Sequence, residues 1–328
     1  MSRSRAAAPS LSIVVPAPGD ASALEATLLS VLENRPADCE IVVPLGFAYD
    51  DPWGIGDEVR LLAAPPGSGL ASCANVGIAA SAAPAVHVLA AGWLATPGWT
   101  DRPRAILDEG DVKAVVPAAV ATADSDAIVA AGVRVTRGGR RVAVVPRRRL
   151  DASKVRPGGP LLEAGFWSAD VLQAAGPGFA ASCGDWLADA DMATAAACLP
   201  GRVVFAPESR VVCGPARRRP GAFTAGLQAE RLFWRSLARG GIATALAAHA
   251  LEVVRDVVAT APLGTVPMLA GRAVGMMQFG DSAVRYARLR TARETAEGAT
   301  TLRIDGPHAD AAPRNRVPAE ERPLRRSA

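Results

Sequence analysis

The sequence predicts an α/β protein in which a mostly parallel sheet is flanked by helices, with a helical extension towards the carboxy terminus. Over the first 120 residues, short apolar runs bounded by Pro or Gly alternate with segments of helical spacing. These runs are apolar at nearly every position, which is typical of parallel strands covered on both faces. The chain has 328 residues, 50% of them hydrophobic, so it is long enough to bury a full core.

The elements follow in order along the chain. Five runs predict strands: 11–16, 40–45, 59–65, 86–91 and 113–120. A helical pattern follows the first strand, where Ser22 and Glu25 match a capping box, and a second helical pattern covers 70–82. Because ligands of parallel sheets bind beyond the carboxyl ends of the strands, a site is expected just after Val15, Val43, Pro65 and Leu89.

Composition argues against a nucleic-acid-binding protein, a disulfide-rich protein and a zinc protein. With 36 basic and 32 acidic residues the net charge is only +4, and the basic hairpin predicted at 133–149 contains no aromatic residue, so no nucleic-acid partner is expected. Five cysteines without a CxxC spacing indicate neither a disulfide framework nor a zinc site. The first residues lack the apolar core of a secretory signal, so we expect a cytoplasmic protein.

The order of motifs resembles that of a known family. "LSIVVPAPGDASALEATLLSVLENRPADCEIVVPLG" and "GSGLASCANVGIAASAAPAVHVLAAGWLATPGW" are similar to the amino-terminal half of family 2 glycosyltransferases, which have the Rossmann-like GT-A fold. "GPLLEAGFWSADVLQAAGPGF" and "GDWLADADMATAAACLPGRVVFAPESRVV" are similar to the acceptor-side segment and to the stretch with the catalytic Glu-Asp. The resemblance spans 11–214. It implies inverting transfer of a sugar from a nucleotide-sugar donor to a polysaccharide or lipid-linked acceptor in cell-envelope glycan synthesis.

Two carboxylate motifs of the family are absent. Ala90, Ala91 and Gly92 occupy the position of the metal-binding DxD, and Pro44 and Leu45 occupy that of the Asp-Asp turn. A divalent cation needs oxygen ligands, so neither a metal site nor another cofactor is expected. The residues expected to bind the donor follow from the resemblance and from the glycine-rich and arginine-rich loops discussed next: Pro16, Gly46, Gly67, Gly69, Asn75, Ala90, Gly92 and Arg218.

Two loops offer phosphate-binding groups that need no metal. Gly67 and Gly69 lie between a strand and a helix, where backbone amides can cradle phosphate. The run Arg217–Arg219 follows the last predicted strand and either pairs with the diphosphate or forms a solvated turn.

The proposed base lies in "LADADMA". Alignment with the family's Glu-Asp-x-Asp-Leu makes Asp189 the expected catalytic base, with Asp185 as the second candidate. The alternative is that these acids cap and solvate the first turn of a helix over 189–198.

The chain divides into four predicted regions: a flexible segment 1–10, a glycosyltransferase-like domain 11–214, a helical region 215–286 and a disordered tail 287–328. The helix over 242–258 has an apolar side and a polar side. That apolar side predicts either peripheral contact with the inner membrane face, or packing on its own domain or in a homodimer.

Two functions remain open at this point. The first is a glycosyltransferase with a metal-independent or impaired donor site. The second is a catalytically silent relative that acts as a binding or scaffold partner. Convergence of Arg217–Arg219 and the Gly67–Gly69 backbone on the pocket mouth opposite Asp189 favours the first, and a pocket filled by Trp93 or Leu45 favours the second.

Overall fold

The computed structural model describes residues 8–146, 155–176, 178–237, 241–278 and 280–304. Predictions for 1–7, for the end of the basic hairpin at 147–149 and for 305–328 lie outside the described residues. The strands of the described part are β1 (Leu11–Val14), β2 (Cys39–Leu45), β3 (Arg60–Ala63), β4 (Ala85–Leu89), β5 (Leu94–Ala95), β6 (Val112–Val120), β7 (Ile128–Ala130), β8 (Val133–Val135), β9 (Arg141–Ala143), β10 (Ala164–Ser168) and β11 (Arg202–Val212). The α-helices are α1 (Ala21–Asn34), α2 (Leu70–Ala80), α3 (Asp101–Leu107), α4 (Ala169–Ala174), α5 (Gly184–Cys198), α6 (Ala222–Ser236), α7 (Ile242–Thr260), α8 (Thr265–Met277) and α9 (Gly280–Ile304).

The main sheet confirms the predicted α/β class. Its strand order is β3, β2, β1, β4, β10, β6, β11, β5, and β7 pairs with β6. The first four strands are parallel, as are β6 and β11, whereas β10 runs antiparallel between β4 and β6. β8 and β9 form a separate antiparallel hairpin within the basic segment where the sequence predicts one. The carboxyl ends of β1, β2 and β4 therefore meet at one edge.

The central strands are buried on both faces, as their continuous apolar runs predict. All five residues of β4 are buried, including His87, whose ring stacks on Phe166 with centroids 3.8 Å apart. Burial lowers the pKa of His87 to about 3, so this histidine is a neutral core residue.

Helix α1 begins differently from the prediction. Its N-cap is Asp20, whose Oδ1 accepts a hydrogen bond from the amide of Ala23 at 3.1 Å. Ser22 donates its hydroxyl hydrogen bond to the same Asp20 oxygen, so it does not cap the helix itself. The capping box predicted from Ser22 and Glu25 is wrong, because aspartate two residues earlier supplies an acceptor in the extended conformation that a cap requires.

The chain from β11 to α6 crosses the edge at which β4 ends. A Cβ added to Gly92 would lie 3.0 Å from the Pro215 ring. In the same way, a Cβ on Gly214 would lie 2.5 Å from the carbonyl oxygen of Gly92. This close approach places the arginines at 217–219 near the tip of β4.

Helices α6 to α9 follow the sheet. Gly226 on α6 and Gly271 on α8 allow the two backbones to approach so closely that a side chain at either position would collide with main-chain atoms of the other helix. Helix α9 covers 287–304, where the sequence analysis expects a disordered tail. Leu289 of α9 is buried in the main core and Arg285 pairs with buried Asp191 at 2.7 Å, so packing and an ion pair order a segment that looks polar and aperiodic.

Candidate functional site

The loop after β4 is held in place by its own backbone amides. The amide of Ala90 donates to the carbonyl of Glu163, that of Ala91 to Pro16, and that of Gly92 to Ala23 and the Thr27 hydroxyl. Gly92 has φ +90°, a conformation that favours glycine. The predicted donor residues Pro16, Ala90 and Gly92 therefore shape the tip of the strand through main-chain bonds.

A buried ion-pair cluster lies next to this tip. Glu163, whose carbonyl binds Ala90, receives two hydrogen bonds on its carboxylate from the guanidinium of Arg217. Nη2 of Arg217 also donates to Oδ2 of Asp189 at 2.7 Å. Nη1 of the same arginine donates to the carbonyl oxygen of Asp185. A guanidinium thus lies beside the position where the sequence alignment puts the missing DxD.

Asp189 is fully buried and its carboxylate is fully engaged. Nε and Nη2 of Arg141 donate to its two oxygens at 2.8 Å each, and Oδ2 is the oxygen that also accepts from Arg217. Burial alone would raise the pKa of Asp189, but the charges and hydrogen bonds of Arg217 and Arg141 outweigh it and hold the pKa below its ordinary value. In this conformation the expected base is ionised and in contact with arginines.

Asp185 caps a different helix from its own. Its two carboxylate oxygens accept hydrogen bonds from the amides of Leu70 and Ala71 at 2.9 Å each. These amides open α2, directly after Gly69, so the carboxylate occupies the anion-binding end that the glycine loop was expected to offer to phosphate. The contacts of Asp185 match the alternative in which these acids cap a helix. The helix that Asp185 caps is, however, α2 and not α5, to which Asp185 belongs.

The remaining predicted donor residues have structural contacts. Gly46 donates its amide to Ala17, and the side chain of Asn75 exchanges two hydrogen bonds with the backbone of Phe179. Gly67 has φ +74° in an open turn with no atom near its missing Cβ.

The three arginines of the 217–219 run have different environments. Arg217 is largely buried in the cluster, whereas Arg218 and Arg219 are exposed. The guanidinium carbon of Arg219 lies 5.8 Å from the ring centroid of Trp186, and that of Arg141 lies 5.9 Å from the same ring. The contact with the expected base therefore belongs to Arg217, not to Arg218, which the sequence analysis singled out.

The observations expected to discriminate the two functions are both partly met. Arg217 and the start of α2 do converge, but they bind Asp189 and Asp185 directly and do not face Asp189 across a pocket. Trp93 and Leu45 are at the same time buried in the hydrophobic core.

The strand tip does not fit the divalent cation that a DxD motif holds. Ala90, Ala91 and Gly92 have no side-chain oxygen, and the carboxylates of Glu163 and Asp189 nearby are paired with Arg217. Among the residues the structure describes, no group of three or more His, Cys, Asp or Glu is arranged to hold a metal ion. Ligand chemistry and charge pairing therefore disagree with a cation at this position.

Sequence reasoning missed two members of the cluster, Glu163 and Arg141. Neither residue stands out in the linear sequence. Glu163 is an isolated acid in the apolar segment "PLLEAGFW", and Arg141 is one of several arginines in a basic hairpin. The signal that could have been used is a lone acid directly before a buried strand. Buried acids are normally paired, so such a residue predicts a basic partner.

Comparison with solved structures shows the fold. A mannosyltransferase from Pyrobaculum calidifontis, PcManGT, solved with GDP-Man and Mn2+, is 17% identical, with 92% of this chain and 89% of that chain covered and a TM-score of 0.51. GalNAc-T7, solved with UDP, GalNAc and Mn2+, is 15% identical over 70% of this chain and 50% of that chain, with a TM-score of 0.54. S. aureus TarS 1-349 is 11% identical over 88% and 92%, with a TM-score of 0.56.

These likenesses show that the chain has a fold like that of these glycosyltransferases, and at such identities they show the fold alone. The sequence matches no protein-family profile. No curated protein sequence matches it either.

Proposed function

We propose that this protein transfers a sugar from a nucleoside-diphosphate sugar to a hydroxyl group of an acceptor glycan or lipid-linked glycan. The observation that carries the proposal is the position of Arg217, which joins Glu163 at the tip of β4 to Asp189 on α5. The fold supports it, because solved neighbours of this chain hold GDP-Man, or UDP with GalNAc.

Arg217 is proposed to bind the diphosphate in place of a cation. A guanidinium pairs bidentately with phosphate oxygens and stabilises the charge that develops on a departing phosphate. In the described conformation Arg217 is neutralised by two carboxylates, so donor binding exchanges its contact with Asp189 for one with the donor. Metal independence follows as part of the proposal, since the strand tip offers a cation no ligand.

Asp189 is proposed to act as the base once this exchange has occurred. Loss of the Arg217 contact and arrival of a negatively charged diphosphate both raise the pKa of Asp189 from its depressed value. The acceptor oxygen then attacks the anomeric carbon while the bond from that carbon to the phosphate oxygen breaks. The bonding electrons leave with the nucleoside diphosphate, and the acceptor proton passes to Asp189.

The acceptor is proposed to be presented at a membrane surface, on the basis of helix α7. Its polar residues His249, Glu252 and Asp256 pair inwards, with Glu230, Arg140 and Arg272 respectively. Its apolar residues face outwards: Leu251, Val254 and Val258 are 71%, 59% and 73% exposed. An amphipathic helix ordinarily buries its apolar side, so the expectation that this side packs on its own domain does not describe these residues.

An anionic lipid surface is the occupant that we propose for this outward face. Arg255 lies on α7 with 58% of its side chain exposed, and the chain carries a net charge of +4, both of which favour anionic lipid. Among the described residues, no helix has the length and hydropathy needed to cross a membrane. A peripheral position on the cytoplasmic side, serving cell-envelope glycan synthesis, is the cellular role that we propose.

The test of transfer measures release of nucleoside diphosphate from UDP-, GDP- and TDP-sugars, with EDTA and with added Mn2+. We expect one donor to be turned over equally well under both conditions, and Asp189→Asn to lose at least 100-fold in rate while it still binds that nucleotide. The matched control is Asp50→Asn, an exposed aspartate beyond β2. Absence of turnover, together with absence of nucleotide binding, would support the silent relative, which the structural comparisons do not favour.

A further inference from the structure

A cavity lies beside Arg141, one of the two described arginines that bind Asp189. It has a volume of about 220 Å³ and opens between the β8–β9 hairpin and helices α5, α6, α7 and α8. Its walls include Arg141, Trp186, Glu252, Asp256 and Arg272. The volume suits one ring-sized polar group rather than a long chain.

The cavity is connected to the proposed base by one side chain. Arg141 lines the cavity and donates both of its hydrogen bonds at 2.8 Å to the carboxylate of Asp189. A molecule held in the cavity therefore lies next to an arginine that binds the Asp189 carboxylate.

The chemistry of the walls selects the kind of ligand. Trp186 offers an aromatic ring at the wall, and the guanidinium carbons of Arg141 and Arg219 lie over this ring at 5.9 and 5.8 Å from its centroid. The carboxylates of Glu252 and Asp256 are each paired with an arginine, Arg140 at 2.9 Å and Arg272, so charges of both signs are balanced along the wall. Balanced charges favour a neutral ligand over an anion or a cation.

One buried polar atom at the wall has no partner. Arg272 is only 6% exposed, and among the residues the structure describes its Nε has no hydrogen-bond partner, although its two other nitrogens bind Glu230 and Asp256. A buried N–H group without a partner costs free energy, so a shift of the wall that brings Nε to an acceptor oxygen would stabilise it.

We propose that this cavity binds a sugar ring of the acceptor, with the ring's C–H face against Trp186 and its hydroxyl groups on Glu252, Asp256 and Arg272. Hydroxyl groups both donate and accept, which matches a wall of alternating carboxylates and guanidinium groups. This inference rests on the proposed function and deepens it, since it names a subsite beside Arg141 that would hold one sugar ring of the acceptor.

The test uses ligand-observed saturation-transfer NMR on the full chain with four probes at millimolar concentration: methyl α-mannoside, methyl β-glucoside, methyl β-galactoside and methyl N-acetyl-β-glucosaminide. We expect at least one probe to bind and Trp186→Ala and Glu252→Gln each to weaken it at least fivefold. Trp186→Phe, which retains an aromatic face, should bind within twofold of the wild type. Trp53→Ala, at an exposed tryptophan outside the cavity, is the matched control.

Each outcome decides the proposal. Absence of binding by all four probes overturns it, and so does binding that Trp186→Ala and Glu252→Gln leave unchanged. Nucleoside-diphosphate binding is measured on the same samples by calorimetry. Probe binding that depends on Trp186 in a protein without affinity for UDP, GDP or TDP keeps the sugar site and rejects the proposed transfer, so the two failures are distinguishable.

Discussion

At the scale of single residues, Arg217 determines the character of the site. It joins two buried carboxylates, Glu163 and Asp189, of which Glu163 pairs with Arg217 and Asp189 pairs with both Arg217 and Arg141. Removal of one partner from a buried pair leaves an uncompensated charge, which is far more costly than the loss of a surface pair. The same guanidinium is the group that we propose to bind the donor, so stability and function depend on one side chain.

Arg217→Ala should lower the free energy of unfolding by about 3–5 kcal/mol, because Glu163 loses its arginine and Asp189 keeps only Arg141. Urea denaturation of the purified variant measures this. Arg202→Ala is the matched control, since Arg202 also pairs with two carboxylates, Glu109 and Asp111, but on the surface. An equal loss in both variants would contradict the account of a buried cluster.

The free energy of unfolding should depend on pH through the ionisation of Asp189. The pKa of Asp189 is lower in the folded chain than in the unfolded chain. Its contribution to the free energy of unfolding is therefore fully present above the pKa of the unfolded chain, and it is lost as the pH falls through the pKa of the folded chain. Asp189→Asn should therefore be less stable than the wild type by about 3 kcal/mol at pH 7, with the gap shrinking below about pH 4. Urea midpoints between pH 7 and pH 3 measure it. A gap that stays constant with pH would refute the assignment, and Asp50→Asn should show none.

The sequence predicts some of these residues and not their partners. Asp189 can be found because it lies in a recognisable Glu-Asp-like motif, although the Glu position holds Ala188. Its arginine partners cannot be found in this way, since they lie 48 and 28 residues away and several arginines compete in the same loops. Only the fold selects Arg217 from a run of three.

At the scale of elements, helix α7 is inverted relative to the rule for surface helices. Its polar side is used for ion pairs with α6, α8 and the β8–β9 hairpin, which leaves a continuous apolar side outwards. The periodicity that predicts an amphipathic helix is correct, but periodicity alone does not say which side faces the protein. Three ion pairs, which form only in the tertiary structure, determine which side of α7 faces the protein.

The double variant Leu251→Glu and Val254→Glu should leave the free energy of unfolding within about 0.5 kcal/mol per site, since both positions are exposed. It should reduce binding to vesicles of phosphatidylglycerol and phosphatidylcholine at least tenfold in co-sedimentation. Val129→Glu, at another exposed valine, is the control. A wild-type dimer that the double variant converts to a monomer would show instead that a second copy covers this face.

The composition of helix α9 does not predict that this segment is helical. Residues 287–304 are polar and lack an apolar stripe, which predicts disorder, yet they are rich in helix-forming Ala, Arg and Glu. One buried leucine and the ion pair from Arg285 to Asp191 supply the packing that composition does not reveal.

At the scale of the whole molecule, three features are connected through arginines. Arg217 at the strand tips and Arg141 at the cavity both bind the carboxylate of Asp189. Helix α7 lines that cavity with one side and presents apolar residues outwards with the other. The overall fold could be predicted because strands and helices have strong periodic signals, whereas the cavity could not, because it is assembled from five separate elements.

The central claim is that an arginine replaces the metal in binding a nucleoside diphosphate. Isothermal titration calorimetry with UDP, GDP and TDP, in EDTA and in Mn2+, tests it most directly. We predict that one nucleotide binds equally well under both conditions and that Arg217→Lys weakens it at least tenfold, because an ammonium group cannot pair bidentately with phosphate. Arg202→Lys, on a remote surface, should bind like the wild type. Binding only in the presence of Mn2+, binding that Arg217→Lys does not weaken, or no binding of any of the three nucleotides would contradict it.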